Sequence, residues 1–251
     1  MTHDRRLPAS KNKETPMNRG LVLLALALSP LAAQAEPWSG EIGLGYLATS
    51  GNSETTSLNG KLALDYVSGP WKNAFAASAI NSSDDEGSTA ERYLVTDKLD
   101  LSFTERDYVF GSVEWEKDLF AGVRERTSET AGYGRHILTG PVHLLDAEIG
   151  AGARQLENAD GMREDDAIGR AFGKYQWKLS ETSSFLQTLK LESGGENTFT
   201  ESVIELKMSV VGNLFAALSY TVKHNSDVPA GTEKTDTFSA VNLSYAFGKK
   251  S

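Results

Sequence analysis

The residues with the most chemical potential in this chain are cations and carboxylates that alternate with apolar neighbours. Arg124, Arg126, Arg154, Arg170, Lys174, Lys178 and Lys190 recur through its middle, with Glu114, Glu116, Asp146 and Glu148 in the same segments. Most of them hold every second position, so in extended strands they project to one side. Gathered around an enclosed space, such a set has two uses. A basic wall left without counter-charge favours anionic solutes in a narrow pore. Opposite charges on neighbouring strands instead bond across and knit the interior shut. The stretch around Arg170, Lys174 and Lys178 has no acidic residue on its own charged side, which keeps the pore reading open.

Catalysis has less to work with. A barrel lipase or protease needs a nucleophile or an activated water held by a histidine and its orienting partner. Past the first 35 residues only His136, His143 and His224 remain. The first two flank a tight turn. His224 lies at a strand end on the apolar side, near Asn225 and Ser226, so an outer-leaflet hydrolase is a remote alternative and no catalytic residue is assigned. The acidic runs Asp84-Asp85-Glu86 and Glu164-Asp165-Asp166 offer hard oxygen ligands to divalent cations but read more simply as solvated loop tips. Asn158-Ala159-Asp160-Gly161 lacks the alternating ligand series and closing glutamate of a calcium loop. The chain has no cysteine, which removes disulfides and thiolate metal sites. No metal site and no cofactor are assigned.

The elements that must position these charges are strands. The last, Thr235 to Phe247, sets Val241, Leu243, Tyr245 and Phe247 on one face and Asn242, Ser244 and Ala246 on the other. That is period-two alternation over the length of a membrane-crossing strand. About twelve such segments follow one another, an even number. The sixth, Val123 to Leu138, is the weakest. Tight links such as Ser68-Gly69-Pro70, Thr139-Gly140-Pro141 and Val211-Gly212-Asn213 alternate with longer, more acidic ones at 81–90, 155–166, 194–198 and 225–234. Short turns on one side and long loops on the other are the asymmetry of outer-membrane barrels. Aromatics sort the same way. Tyr66, Trp71, Phe103, Trp177, Phe185, Tyr245 and Phe247 fall at the short-turn ends, and Tyr46, Tyr93, Trp115 and Tyr220 towards the other. The predicted fold is all-β, a closed antiparallel up-and-down transmembrane β-barrel. A soluble barrel or sandwich is the alternative, with no reason to sort its loops by side.

Thr49 to Tyr66 (TSGNSETTSLNGKLALDY) with Trp71-Lys72, Asp107 to Gly122 (DYVFGSVEWEKDLFAG), Ala147 to Arg154 (AEIGAGAR) and the closing strand resemble the salt-induced outer-membrane protein family (YdiY-like). Ser50-Gly51-Asn52 with its Thr/Ser-rich continuation is the most specific part. The resemblance implies an outer-membrane barrel without established activity, and hands over no catalytic residue.

Met17 opens a stretch with one basic residue (Arg19), an apolar run from Leu21 to Leu28 and the exit Ala33-Gln34-Ala35, the anatomy of a secretory signal peptide. The run is too short for a membrane anchor and is followed by Pro30. Residues 1–35 are thus read as a signal segment, with Met17 the better initiator, and 36–251 as one barrel domain. The first 35 residues hold five of the 25 basic and two of the 34 acidic residues, so the remainder carries a formal charge of −12. That argues against nucleic acid as a partner. The expected partners are outer-membrane lipid, lipopolysaccharide and, through the aromatic-ended last strand, the barrel-assembly machinery.

Overall fold

A chain with one apolar and one charged edge, and no long apolar run, can enter hydrocarbon only as a sheet closed on itself. The computed structural model describes residues 37–50, 56–84, 87–119, 121–195, 197–228 and 233–248. The signal segment, most of the Ser50-Gly51-Asn52 turn and Asp85-Glu86 lie outside them. The strands are β1 (Trp38–Ser50), β2 (Thr56–Ser68), β3 (Trp71–Asp84), β4 (Gly87–Ser102), β5 (Asp107–Asp118), β6 (Val123–Thr139), β7 (His143–Asn158), β8 (Arg163–Lys178), β9 (Ser183–Ser193), β10 (Thr198–Val211), β11 (Leu214–Asn225) and β12 (Thr235–Phe247). Each pairs with its sequence neighbours, and β12 returns to β1 to close a twelve-strand barrel.

The closing seam is antiparallel from Gly40↔Phe247 to Ser50↔Thr237, with Ile42, Leu44 and Tyr46 opposite Tyr245, Leu243 and Val241. Matching apolar residues across this seam sets the register, because a one-residue slip would turn every side chain to the wrong face. The exterior carries Ile42, Leu44, Leu58, Ile149, Leu218, Val241 and Leu243, all exposed. The interior carries Glu116, Arg126, Glu148, Arg154, Lys190 and Lys223, all buried. The greasy edges do not face one another across a core, so the sandwich alternative fails. Trp38, unassigned from sequence, packs its ring on Tyr66 at 4.6 Å and joins the aromatic ring at the short-turn end.

The links on that end behave as read. Gly69 and Gly212 take positive φ (58° and 53°) at the first position of two-residue hairpins, which a side chain would strain. The opposite end differs from expectation. The links expected at 81–90 and 155–166 are largely strand: β3 runs to Asp84, β4 begins at Gly87, β7 runs to Asn158 and β8 begins at Arg163. Continuing the ladder past the bilayer pairs backbone groups that a loop would leave to water. The loop asymmetry is correspondingly smaller. β6, weakest in sequence, is the longest strand at 17 residues, and register shifts near both its ends account for its poor periodicity.

Inside, two aromatics occupy positions that a charge pattern would not reveal. Tyr108 and Phe110 point inward from β5 and are buried. Tyr108 lies over Gly134, where an added Cβ would sit 2.2 Å from its ring. Gly134→Val should therefore displace the tyrosine and destabilise the barrel by about 1–3 kcal/mol. Urea unfolding of the barrel in lipid vesicles measures this, and an unchanged midpoint would contradict the packing.

Candidate functional site

The site with chemical character is the lumen, where strand pleating turns every charged edge to a common enclosed space. Its outer half is bridged. β5 and β11 lie six strands apart in the ring, on opposite walls. Lys223 of β11 nevertheless reaches both Glu116 (2.6 Å) and Asp118 (3.0 Å) of β5. Arg92 of β4 bonds Glu116 at 3.0 Å and Asp118 at 3.3 Å, and approaches Glu201 on the far wall at 3.8 Å. Arg126 bonds the second oxygen of Glu116, and Lys190 bonds Glu114 at 2.8 Å. Glu116 and Asp118 are each 1% exposed. Phe199 lies beneath three of these cations, with Arg126 over its ring at 4.3 Å, and Phe238 lies beneath Arg92 and Lys223. Rings under cations and cations between carboxylates leave each buried charge with a partner, as burial requires.

Below this bridge lies a second node. Glu148 accepts from Tyr108 Oη (2.9 Å), Lys98 (2.7 Å) and Arg170 (3.1 Å). Asp146 meets His136 Nδ1 at 2.6 Å, and the imidazole packs on Tyr108. Arg154 bonds Asp166 at 3.0 Å nearer the outer rim. The half towards the short turns is open instead, a cavity of about 770 Å³ lined by Lys61, Lys72, Lys174, Lys178, Glu41 and Glu205 among others. Lys61 pairs with Glu41 and Glu205 (both 3.5 Å), Lys207 with Glu41, and Lys72 with Asp65 (3.5 Å). Among the described residues, Lys174 and Lys178 line this space with no carboxylate within ion-pair distance.

Of the charges picked out from sequence, Arg126, Arg154, Arg170, Lys174, Lys178, Lys190, Glu114, Glu116, Asp146 and Glu148 all turn inward. Arg124 does not. It is 56% exposed at the outer rim, bonded to Glu157 and to the Ala159 carbonyl, because the register shift between Val123 and Glu125 takes it out of the inward row. Glu164-Asp165-Asp166 falls within β8, where the pleat sends Asp165 to the opposite face from its neighbours, so the run cannot converge on one cation. His224 turns its Nδ1 to Thr235 Oγ1 at 2.9 Å. Asp118, Glu201 and Lys223 were not among the charges singled out from sequence, although alternation sets Glu201 and Lys223 on the charged faces of β10 and β11. They share the parity of Glu116, Glu205 and Ser219 on their strands, a signal that strand alternation alone could have supplied.

Lys223→Met would leave Asp118 with Arg92 as its remaining ion-pair partner among the described residues and Glu116 short of one bond. Breaking a buried pair from one side should cost about 3 kcal/mol, read as a lower urea midpoint. Adding Asp118→Asn, which removes the carboxylate left short while Arg92 and Arg126 keep Glu116, should recover part of the loss; a single variant as stable as the parent would contradict a desolvated bridge.

The apolar exterior, bordered by aromatic rings at both ends, is built for hydrocarbon, and the chain is an integral barrel of the bacterial outer membrane. Solved structures of outer-membrane proteins share its fold. The NanC porin superposes with a TM-score of 0.56 at 11% identity, covering 81% of this chain and 98% of that one. The COG4313 outer membrane channel from Pseudomonas putida F1 gives 0.53 at 12% identity, covering 88% of this chain and 100% of the other. In sequence, the chain is 32% identical over 216 residues to the uncharacterized protein YdiY of Escherichia coli (strain K12), covering 86% of this chain and 85% of that protein. The model of the family described as "Protein of unknown function, DUF481" matches residues 42–247. With its twelve-strand transmembrane barrel and charged lumen, the chain belongs to the DUF481 family.

Proposed function

We propose that this barrel is a narrow, passive channel of the outer membrane with a preference for anionic solutes. The observation that carries the reading is the pair Lys174 and Lys178, facing the open inner half of the lumen without carboxylate partners while the other luminal cations are paired. Cations without ion-pair partners on a pore wall raise the local concentration of counter-ions and bias what enters. The porin and channel folds of its structural neighbours agree with passage but carry no solute to this chain. A link to salt or osmotic response rests on family resemblance alone.

A sealed structural barrel is the second reading. It is favoured by the bridge from Lys223 to Glu116 and Asp118, which crosses the full width of the lumen. Planar-bilayer recording separates the two. Discrete openings whose anion preference is lost in Lys174→Glu/Lys178→Glu support the channel. Silence from folded protein supports the sealed barrel.

We further propose that residues 1–35 are removed during export and that the assembly machinery takes β12, ending at Phe247, as its signal. N-terminal sequencing of protein recovered from outer membranes should begin at Glu36. A retained leader would contradict the cleavage, and normal assembly of Phe247→Ala would contradict the role of the terminal ring.

A further inference from the structure

On the outer side of the bridge lies a second, smaller cavity of about 180 Å³. One wall of it is a single luminal row. Register sets Arg126 of β6 beside Leu156 of β7, and Leu156 beside Glu164 of β8. With strands about 4.8 Å apart, the Arg126 and Glu164 backbones stand roughly 10 Å from each other, the leucine between them. The rest of the lining includes Asn197, before β10, and the end of β11 with the link that follows it. Asn197 fixes this part. Its Nδ2 donates to Asn225 Oδ1 at 3.0 Å, and its Oδ1 accepts from the Asp227 backbone N–H at 3.2 Å. Arg154 Nη2, one row below Arg126, donates to Asp166 Oδ2 at 3.0 Å and makes a longer contact with the Asn197 carbonyl at 3.4 Å. The cavity is thus held in shape by its own polar contacts, as binding sites are.

Two groups in the first wall have unmet needs of opposite sign. Arg126 is buried, and its Nε has no acceptor among the described residues. The guanidinium is held in place from its other end, where Nη2 donates to Glu116. A buried donor without an acceptor is costly and uncommon in folded proteins, and a bound acceptor relieves it. Glu164 has no cation within ion-pair distance among the described residues, because Arg154 beneath it is committed to Asp166.

These needs narrow the occupant. A plain anion would satisfy Arg126 Nε but would meet Glu164 and Asp227 in the lining, with Glu114, Glu116, Glu192 and Glu201 acting on the guanidinium from behind. A plain cation would suit the carboxylates but would leave the Nε unmet and stand beside two buried arginines. A molecule carrying both signs at short separation answers the two together. Two charge-assisted hydrogen bonds, with a carboxylate-to-ammonium step between them, are about long enough to join the Arg126 and Glu164 side chains. Leu156 and Val123 offer an apolar surface to the remainder of such a molecule. We propose that this cavity binds a small zwitterion of the α-amino acid class, its carboxylate on Arg126 Nε, its ammonium on Glu164 and its side chain against Leu156. The inference does not rest on whether the inner half conducts.

Ligand-observed NMR on the barrel isolated from outer membranes into detergent micelles tests this with three probes of one shape. They are L-leucine, 4-methylpentanoate, which lacks the ammonium, and 3-methylbutylamine, which lacks the carboxylate. Leucine should bind with a dissociation constant on the order of 1 mM, and each of the other two about tenfold more weakly. Glu164→Gln, outside the bridge, should weaken leucine about tenfold and leave 4-methylpentanoate no weaker. Arg126→Lys keeps a cation for Glu116 but removes the Nε, and should also weaken leucine about tenfold, with heat-modifiable gel mobility confirming a folded barrel. Lys174→Glu/Lys178→Glu should leave leucine binding as it is. Absence of leucine binding, equal binding of the three probes, or binding indifferent to both Glu164→Gln and Arg126→Lys would each overturn the proposal. So would its loss in Lys174→Glu/Lys178→Glu, which would put the site in the inner half.

Discussion

The backbone hydrogen bond in hydrocarbon governs everything else in this molecule. Each unpaired N–H or C=O in the bilayer costs several kcal/mol, so a sheet there has no tolerable edge. β12 must therefore find β1, and the ladder from Gly40↔Phe247 to Ser50↔Thr237 is the result. Once the ring is closed, each strand has one face to lipid and one to the lumen. The apolar edge then costs nothing to expose, and the charged edge has nowhere to go but inward.

That confinement explains how the interior is built. Charges in a narrow, poorly solvated space need partners at short range, and the nearest partners are on other walls of the barrel. The outer half meets the requirement by bridging: Lys223 reaches across to Glu116 and Asp118, and buried aromatic rings fill the space below. The inner half encloses a cavity towards the short-turn end, where Lys61, Lys72 and Lys207 pair with carboxylates at its wall. Lys174 and Lys178 can stand without carboxylates there because that half is wide. The luminal charge set is thus divided along the axis of the barrel into a bridged outer half and an open inner half.

Much of this was legible in the residue order, for a physical reason: strand alternation is local and survives without knowledge of the partner strand. Val241, Leu243, Tyr245 and Phe247 reveal their face from β12 alone, and Arg170, Lys174 and Lys178 reveal theirs from β8. What was not legible depends on neighbours. Arg124 leaves the lumen because of a register shift that only pairing with β7 defines. The acidic stretch at 155–166 becomes strand because the ladder continues past the bilayer. The bridge of Arg92, Glu116, Asp118, Glu201 and Lys223 joins residues on four different strands, and which of them meet depends on shear and diameter rather than on any one segment.

The central claim is that apolar edges meet hydrocarbon while charged edges enclose the lumen. A nitroxide scan along β12 in lipid bilayers, one residue at a time, tests it most directly. Oxygen accessibility should peak at Val241, Leu243 and Tyr245 and fall at Ala240, Asn242 and Ser244. Peaks at the latter three, or no alternation along the strand, would contradict it.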